Sequence, residues 1–176
     1  MDAVNPIKLA EQGKQEYEQE HYLAAANLFS QAAQAYTLAK DGLNAAEMKN
    51  NQSVALLQAG KAKEALQATD GTEEVFQKAG DIKRQGIAVS NRAAALEGMK
   101  QWKEALTEYD RAAALFEQIG EGDMHSMVRK AAANLNLKRG RVVDSQMDVY
   151  DSLRLVEKPS LTQRLMKFLM RIGLVK

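Results

Sequence analysis

The 176-residue sequence contains no cysteine, which excludes disulfides and every thiolate-ligated metal or redox centre. Its only prolines are Pro6 and Pro159, so the whole stretch from Ile7 to Lys158 runs without one. Proline costs about 3 kcal/mol inside a helix, and a long proline-free stretch rich in helix formers favours an all-α fold. β-Branched residues are sparse and never alternate with polar ones over a strand length, so sheet has little support. No apolar run approaches the ~20 residues of a membrane span. Met1 to Ala10 carry acid and polar residues where a signal peptide needs a basic start and an apolar core, so a cytoplasmic protein is expected. With only His21 and His125 available, both expected on the surface, histidine-based catalysis has little to build on. Gly13-Lys14 and Gly60-Lys61 lack the rest of a phosphate loop. The acidic residues spread along helix faces as solvated charges or pairs such as Lys100 with Glu104. None has zinc or calcium ligand spacing. The expectation is a protein with no catalytic residues, no metal and no cofactor.

What the chain does have is periodicity. Ala25, Ala65 and Ala105 recur at a constant step of 40. The same step links Tyr36, Phe76 and Phe116; Tyr22, Ala62 and Trp102; and Phe29, Thr69 and Tyr109. It also links Asp41, Asp81 and Glu121, and Asn51 with Asn91. Each repeat divides into two amphipathic helices. In the third, Ala88, Val89, Ala93, Leu96 and Met99 share one face; Trp102, Ala105, Leu106, Tyr109, Ala112 and Phe116 share another after a Lys100-Gln101 turn. Small alanines beside large rings let two helices approach closely, and one pair cannot bury both stripes, so the repeats must stack. Gly42, Gly60, Gly80, Gly120 and Gly140 fall between the stripes, where helix ends need glycine.

These residues resemble the tetratricopeptide repeat family. The stretch from Gly13 through Tyr17, Tyr22 and Ala25 to Phe29 and Ala32 fits the family's unit pattern. So does Asn91, Ala93, Leu96, Trp102, Glu104-Ala105-Leu106, Tyr109 and Ala112. The period of 40 and the missing proline after the second helix resemble the extended subgroup found in adaptors. The resemblance implies an all-α, right-handed α-α superhelix of four helix-turn-helix units over residues 1–158, at about 6–41, 42–81, 82–121 and 122–157. A C-terminal capping helix over 159–176 completes it. It also implies that the first helix of each unit lines a concave, peptide-binding groove. The groove then presents Lys14 and Tyr17, Asn50 and Asn51, Ser90 and Asn91, and Arg129 and Lys130. Stacked Asn51 and Asn91 either grip a peptide main chain or bond the neighbouring helix. Some family members hold a carboxylate with Lys, Asn and Arg; only Asn91 and Lys130 match, so a full clamp is not expected. The implied function is a non-enzymatic adaptor or scaffold for a protein or peptide.

Two places depart from the pattern. Asp70-Gly71-Thr72 interrupts a second helix; a glycine tolerated where two helices touch is the favoured reading, and a true break with Asp70 and Glu73 as capping box is the alternative. In the last unit the apolar stripes Met127, Val128, Ala132, Leu135 and Val143, Met147, Tyr150, Leu153 require a short step and then a long one, 39 and 41 in place of 40. Beyond Pro159, Ser160 and Gln163 form a helix-start signature. Leu161, Leu165, Phe168, Leu169 and Ile172 follow as one stripe, and Arg164, Lys167 and Arg171 as another. Met166 and Met170 widen the apolar arc to roughly 200°. That edge, with its basic flank, suits a partner, a second copy of the chain in a homodimer, or peripheral contact with a membrane. Charge is also split: residues 1–80 carry −4, 81–121 carry −1 and 122–176 carry +6, within a net +1. The asymmetry favours an acidic partner at the C-terminal end or head-to-tail self-association. Nucleic acid is disfavoured, because no aromatic residues are interleaved with these charges.

Overall fold

The computed structural model describes residues 5–156 together with 160, 163 and 164. Among the described residues there are nine α-helices and no strand. They are α1 (Pro6–Glu18), α2 (Tyr22–Leu38), α3 (Gly42–Gln58), α4 (Ala62–Ala68), α5 (Thr72–Lys78), α6 (Ile82–Gly98), α7 (Trp102–Gln118), α8 (Gly122–Lys138) and α9 (Val142–Ser152). Successive helices pack side by side into a helical solenoid.

One junction recurs along the chain. Glu20, Lys40, Gly60, Gly80, Lys100, Gly120 and Gly140 all have positive φ, one at every twentieth position. At each, the amide of this residue donates to the carbonyl three residues back, and the next amide to the carbonyl five back. Gly60 N–H thus reaches Leu57 O at 3.0 Å and Lys61 N–H reaches Leu56 O at 2.8 Å. This is the Schellman closure, which satisfies the last carbonyls of one helix while turning the chain into the next. Each repeat is therefore two equal halves, and three of the seven turns work without glycine. Gly42, by contrast, opens α3 and needs no special φ.

The core is alanine and ring. Ala25, Ala32, Ala55, Ala65, Ala105, Ala112 and Ala113 are sealed from solvent, as are Phe76 and Phe116. Fully burying one such ring contributes on the order of 2–3 kcal/mol. Two glycines make room for rings: a Cβ on Gly13 would lie 2.8 Å from Phe29, and one on Gly86 would lie 2.8 Å from Phe116. Ion pairs tie the second helix pair to the third and the third to the fourth: Glu47–Arg84, Glu73–Arg111, Lys83–Glu121, Glu97–Lys138 and Glu117–Arg154, at 2.5–3.3 Å. Being half-exposed, each contributes no more than about 1 kcal/mol.

Two expectations are corrected. Gly71 is a true break: it lies at φ +76°, α4 stops at Ala68 and α5 starts at Thr72. The Thr69 and Thr72 hydroxyls donate to Leu66 O and Thr69 O at 2.7 and 2.8 Å and hold the turn. No Asp70–Glu73 box forms; Glu73 instead accepts from Gln85 and Arg111. The second correction concerns the last helix pair. The period is kept without a short or a long step: α8 opens at Gly122 where α6 opens at Ile82, and α9 at Val142 where α7 opens at Trp102. Met127, Val143, Met147 and Tyr150 consequently face outward, while His125, Ser126, Asn136, Ser145 and Ser152 turn inward with Val128, Ala132, Leu135 and Leu153. The turns at Gly120 and Gly140 fix the phase of each helix, and the apolar stripe yields to them.

Candidate functional site

Lys14, Tyr17 and Glu18 share one face of α1 by their i, i+3, i+4 spacing, and Asn51 and Val54 share one face of α3. The two faces and Phe29 of α2 enclose a cavity of about 200 Å³. Phe29 forms its floor, seated where Gly13 has no side chain. Tyr17 meets Tyr22 edge to face, with centroids 5.3 Å apart, which fixes the wall. Among the described residues, Lys14 and Glu18 have no ion-pair partner and the Asn51 carboxamide makes no hydrogen bond. The cavity therefore offers an apolar base, one charge of each sign and an amide able to donate and accept.

The other expected groove residues are distributed differently. Asn50 is buried and its Oδ1 lacks a hydrogen-bond partner, so it is not presented to a ligand. The Ser90 hydroxyl donates back to Ile87 O at 2.8 Å within its own helix. Asn91 is half-buried and Lys130 exposed, and neither lines the cavity. Arg129 is engaged elsewhere: it sits 2.5 Å from Asp110, 2.6 Å from Asp151 and 3.6 Å from Asp148. Of the C-terminal residues, Arg164 is exposed, while Met166, Lys167, Met170 and Arg171 lie outside the described residues. Ser160 and Gln163 do form the reciprocal cap expected of them, with Ser160 N–H donating to Gln163 Oε1 at 2.7 Å and Gln163 N–H to Ser160 Oγ at 3.3 Å.

Around Arg129 lies a polar interior that the apolar pattern did not reveal. His125 is 0% exposed, a correction to its expected place on the surface, whereas His21 is exposed beside Glu16 at 2.8 Å. The register carries His125 inward, because it follows the buried Gln85 by one full period. Its Nε2 is 3.4 Å from Asp151 Oδ2, and neither ring nitrogen has a hydrogen-bond partner among the described residues. Burial lowers its pKa, against the opposing pull of Asp151. Asn136 donates to Asp148 at 2.9 Å, and burial raises the Asp148 pKa. Leu106, Asp110, Asn136, Arg139, Met147 and Asp148 help to line an open cleft of about 460 Å³ between α7 and α9. Lys103, Arg139 and Arg141 balance Asp110, Asp144 and Asp148 along its lining. Lys100 and Glu104 form no ion pair among the described residues. No described helix is long and apolar enough to cross a membrane.

A family model described as soluble NSF attachment protein, SNAP, matches residues 9–175. No curated protein matches the chain.

Proposed function

Because the chain belongs to the soluble NSF attachment protein family, we propose that the α1–α3 cavity is where it takes hold of a partner protein. The chain is a non-enzymatic adaptor that mediates protein–protein interaction. The observation that carries the proposal is the convergence of Lys14, Tyr17 and Asn51 on one cavity with an apolar base. Tyr17, Phe29 and Val54 receive an apolar side chain of an extended or helical segment. Asn51 bonds its main chain and Lys14 holds a neighbouring carboxylate. The family is named for attachment to NSF, and NSF is the partner this reading assigns. Its site of action is the cytoplasm.

The helices divide into tetratricopeptide-type units at about 6–41, 42–81, 82–121 and 122–157; the support is the positive-φ junction that recurs twice in every period. Titrating NSF over the immobilised chain tests the site, wild type against Lys14→Ala/Asn51→Ala. At least tenfold weaker binding, about 1.4 kcal/mol, is expected of the double variant. Unchanged affinity removes the cavity from the account, and a wild type that fails to bind removes NSF.

A further inference from the structure

One wall of the α1–α3 cavity carries a charge where the helix itself disfavours one. Glu18 is the last residue of α1, at the negative pole of the helix, where the macrodipole opposes a carboxylate. The residues that end the other first helices are Gln58 in α3, Gly98 in α6 and Lys138 in α8, two neutral and one of the favoured sign. Glu16, two residues earlier, is engaged by His21 at 2.8 Å, and Lys138 by Glu97 at 2.9 Å. Glu18 has no ion pair among the described residues, and Lys14, one turn away, does not supply one. A lysine four residues before a glutamate is the weaker order of such a pair. Lys14 is an exception in its own column too, which continues as Val54, Ala94 and Asn134.

Both charges are exposed, and both border the cavity whose apolar base is Tyr17, Phe29 and Val54. Four residues apart, they are displaced by about 6 Å along the helix axis. Each is therefore open to a ligand, and neither cancels the other. A wholly acidic segment that satisfied Lys14 would bring like charge against Glu18, in the half of the chain, residues 1–80, that already carries −4. A wholly basic segment would meet Lys14 in the same way. A segment with one charge of each sign satisfies both.

We infer that Glu18 selects a basic residue on the bound segment, a role that rests on the α1–α3 cavity being the partner site. The segment this cavity takes has an apolar side chain flanked by an acidic residue for Lys14 and a basic residue for Glu18. The order of those two charges fixes the direction in which the segment lies along α1. The helix gives up some stability at Glu18 for that selectivity.

Random peptides displayed on phage, selected on the immobilised full-length chain and counter-selected on Lys14→Ala/Asn51→Ala, test the inference, because the clones kept are those that need the cavity. These clones should join an apolar residue to one acidic and one basic residue in a constant order. Peptides of those sequences should bind Glu18→Lys at least about tenfold more weakly than wild type. Replacing their basic residue by glutamate should restore affinity for Glu18→Lys. Without peptide, Glu18→Lys should melt no lower than wild type, since a cation suits that end of the helix. Cavity-dependent clones without a basic residue, or a loss that charge reversal does not restore, overturn the role of Glu18 and leave the cavity reading standing. A lower melting midpoint for Glu18→Lys also overturns it, by showing that Glu18 supports the fold. Recovery of no cavity-dependent clone overturns the cavity reading and this inference with it.

Discussion

Replacing His125 by glutamine should remove a pH dependence of stability that one buried imidazole creates. The ring is sealed, its two nitrogens have no hydrogen-bond partner among the described residues, and burial lowers its pKa from the ordinary 6.5. Asp151 and Arg154 face it from the end of α9, Arg129 from α8 and Glu117 from α7. The two carboxylates raise the pKa and the two guanidiniums lower it, so burial decides the direction. In the unfolded chain the imidazole takes up its proton near the ordinary value; in the folded chain it resists. Below pH 6.5 the unfolded state therefore binds more protons, and stability falls as pH falls. The slope reaches at most about 1.4 kcal/mol per pH unit. If the folded ring stays neutral throughout, the loss at pH 5 is about 2 kcal/mol, or roughly 4–8 °C in Tm for a chain of this size. Glutamine is the replacement the array itself makes: Gln85 occupies the matching position, buried, and donates to Glu73 at 3.2 Å. Thermal melts followed by circular dichroism at pH 7.5 and pH 5.0 supply the comparison. The wild type should lose several degrees more than His125→Gln between the two. The carboxylates common to both chains, including Asp148 with its raised pKa, cancel in the difference. Equal losses would refute the claim that His125 is held neutral by burial.

Other perturbations probe the turns, the ring seats and the ion pairs. Lys100→Gly places glycine at φ +62° and should raise stability by up to about 1 kcal/mol in denaturant melts; a loss would show that Lys100 makes a compensating contact. Gly86→Ala gains about 1 kcal/mol of helix propensity, yet drives a Cβ to 2.8 Å from the sealed Phe116 ring. Overpacking of this kind costs about 1–3 kcal/mol, so a net loss near 1 kcal/mol is expected, and a more stable variant would contradict the seat. Glu117→Ala removes one half-exposed link to Arg154 and should move the melting midpoint by no more than about 2–4 °C. Hydrogen exchange should be faster along α8 and α9 than along α6 and α7, because their shared interior contains more polar groups; uniform protection would argue otherwise.

The all-helical solenoid was legible because alanine and aromatic residues recur in columns that only stacked helices can bury. The half-period was not, since Glu20, Lys40 and Lys100 adopt the left-handed turn without glycine to mark it. That omission produced the wrong register for α8 and α9, where the stripe was followed in place of the turn. His125 went the same way: nothing in a lone polar residue tells which side of a helix it occupies until the phase is known. At the candidate site, Lys14, Tyr17 and Asn51 share a cavity because both helices obey the period. Arg129 leaves that surface because Asp110, Asp148 and Asp151, on two other helices, compete for it. A one-dimensional pattern does not contain that competition.

The same competition sets where the array is weakest. Repeat arrays derive stability from each unit and from its interface with the next. From α1 to α7 those interfaces are mainly alanine and aromatic rings, with Asn50, Ser53, Thr69, Thr72 and Gln85 as the buried polar side chains. In the α8–α9 pair alone, His125, Ser126, Asn136, Ser145 and Ser152 are buried beside Val128, Ala132, Leu135 and Leu153, near an arginine and its carboxylates. Pairing offsets the desolvation of such a cluster without adding much beyond it, and the unpartnered His125 nitrogens subtract from it. The junction turns hold these helices in phase although their apolar residues favour another register. The stripe displaced outward, Val143, Met147 and Tyr150, forgoes the burial that the same residues would gain facing inward. A polar interior in the last described pair and an apolar exterior on α9 are therefore one consequence of one fixed period.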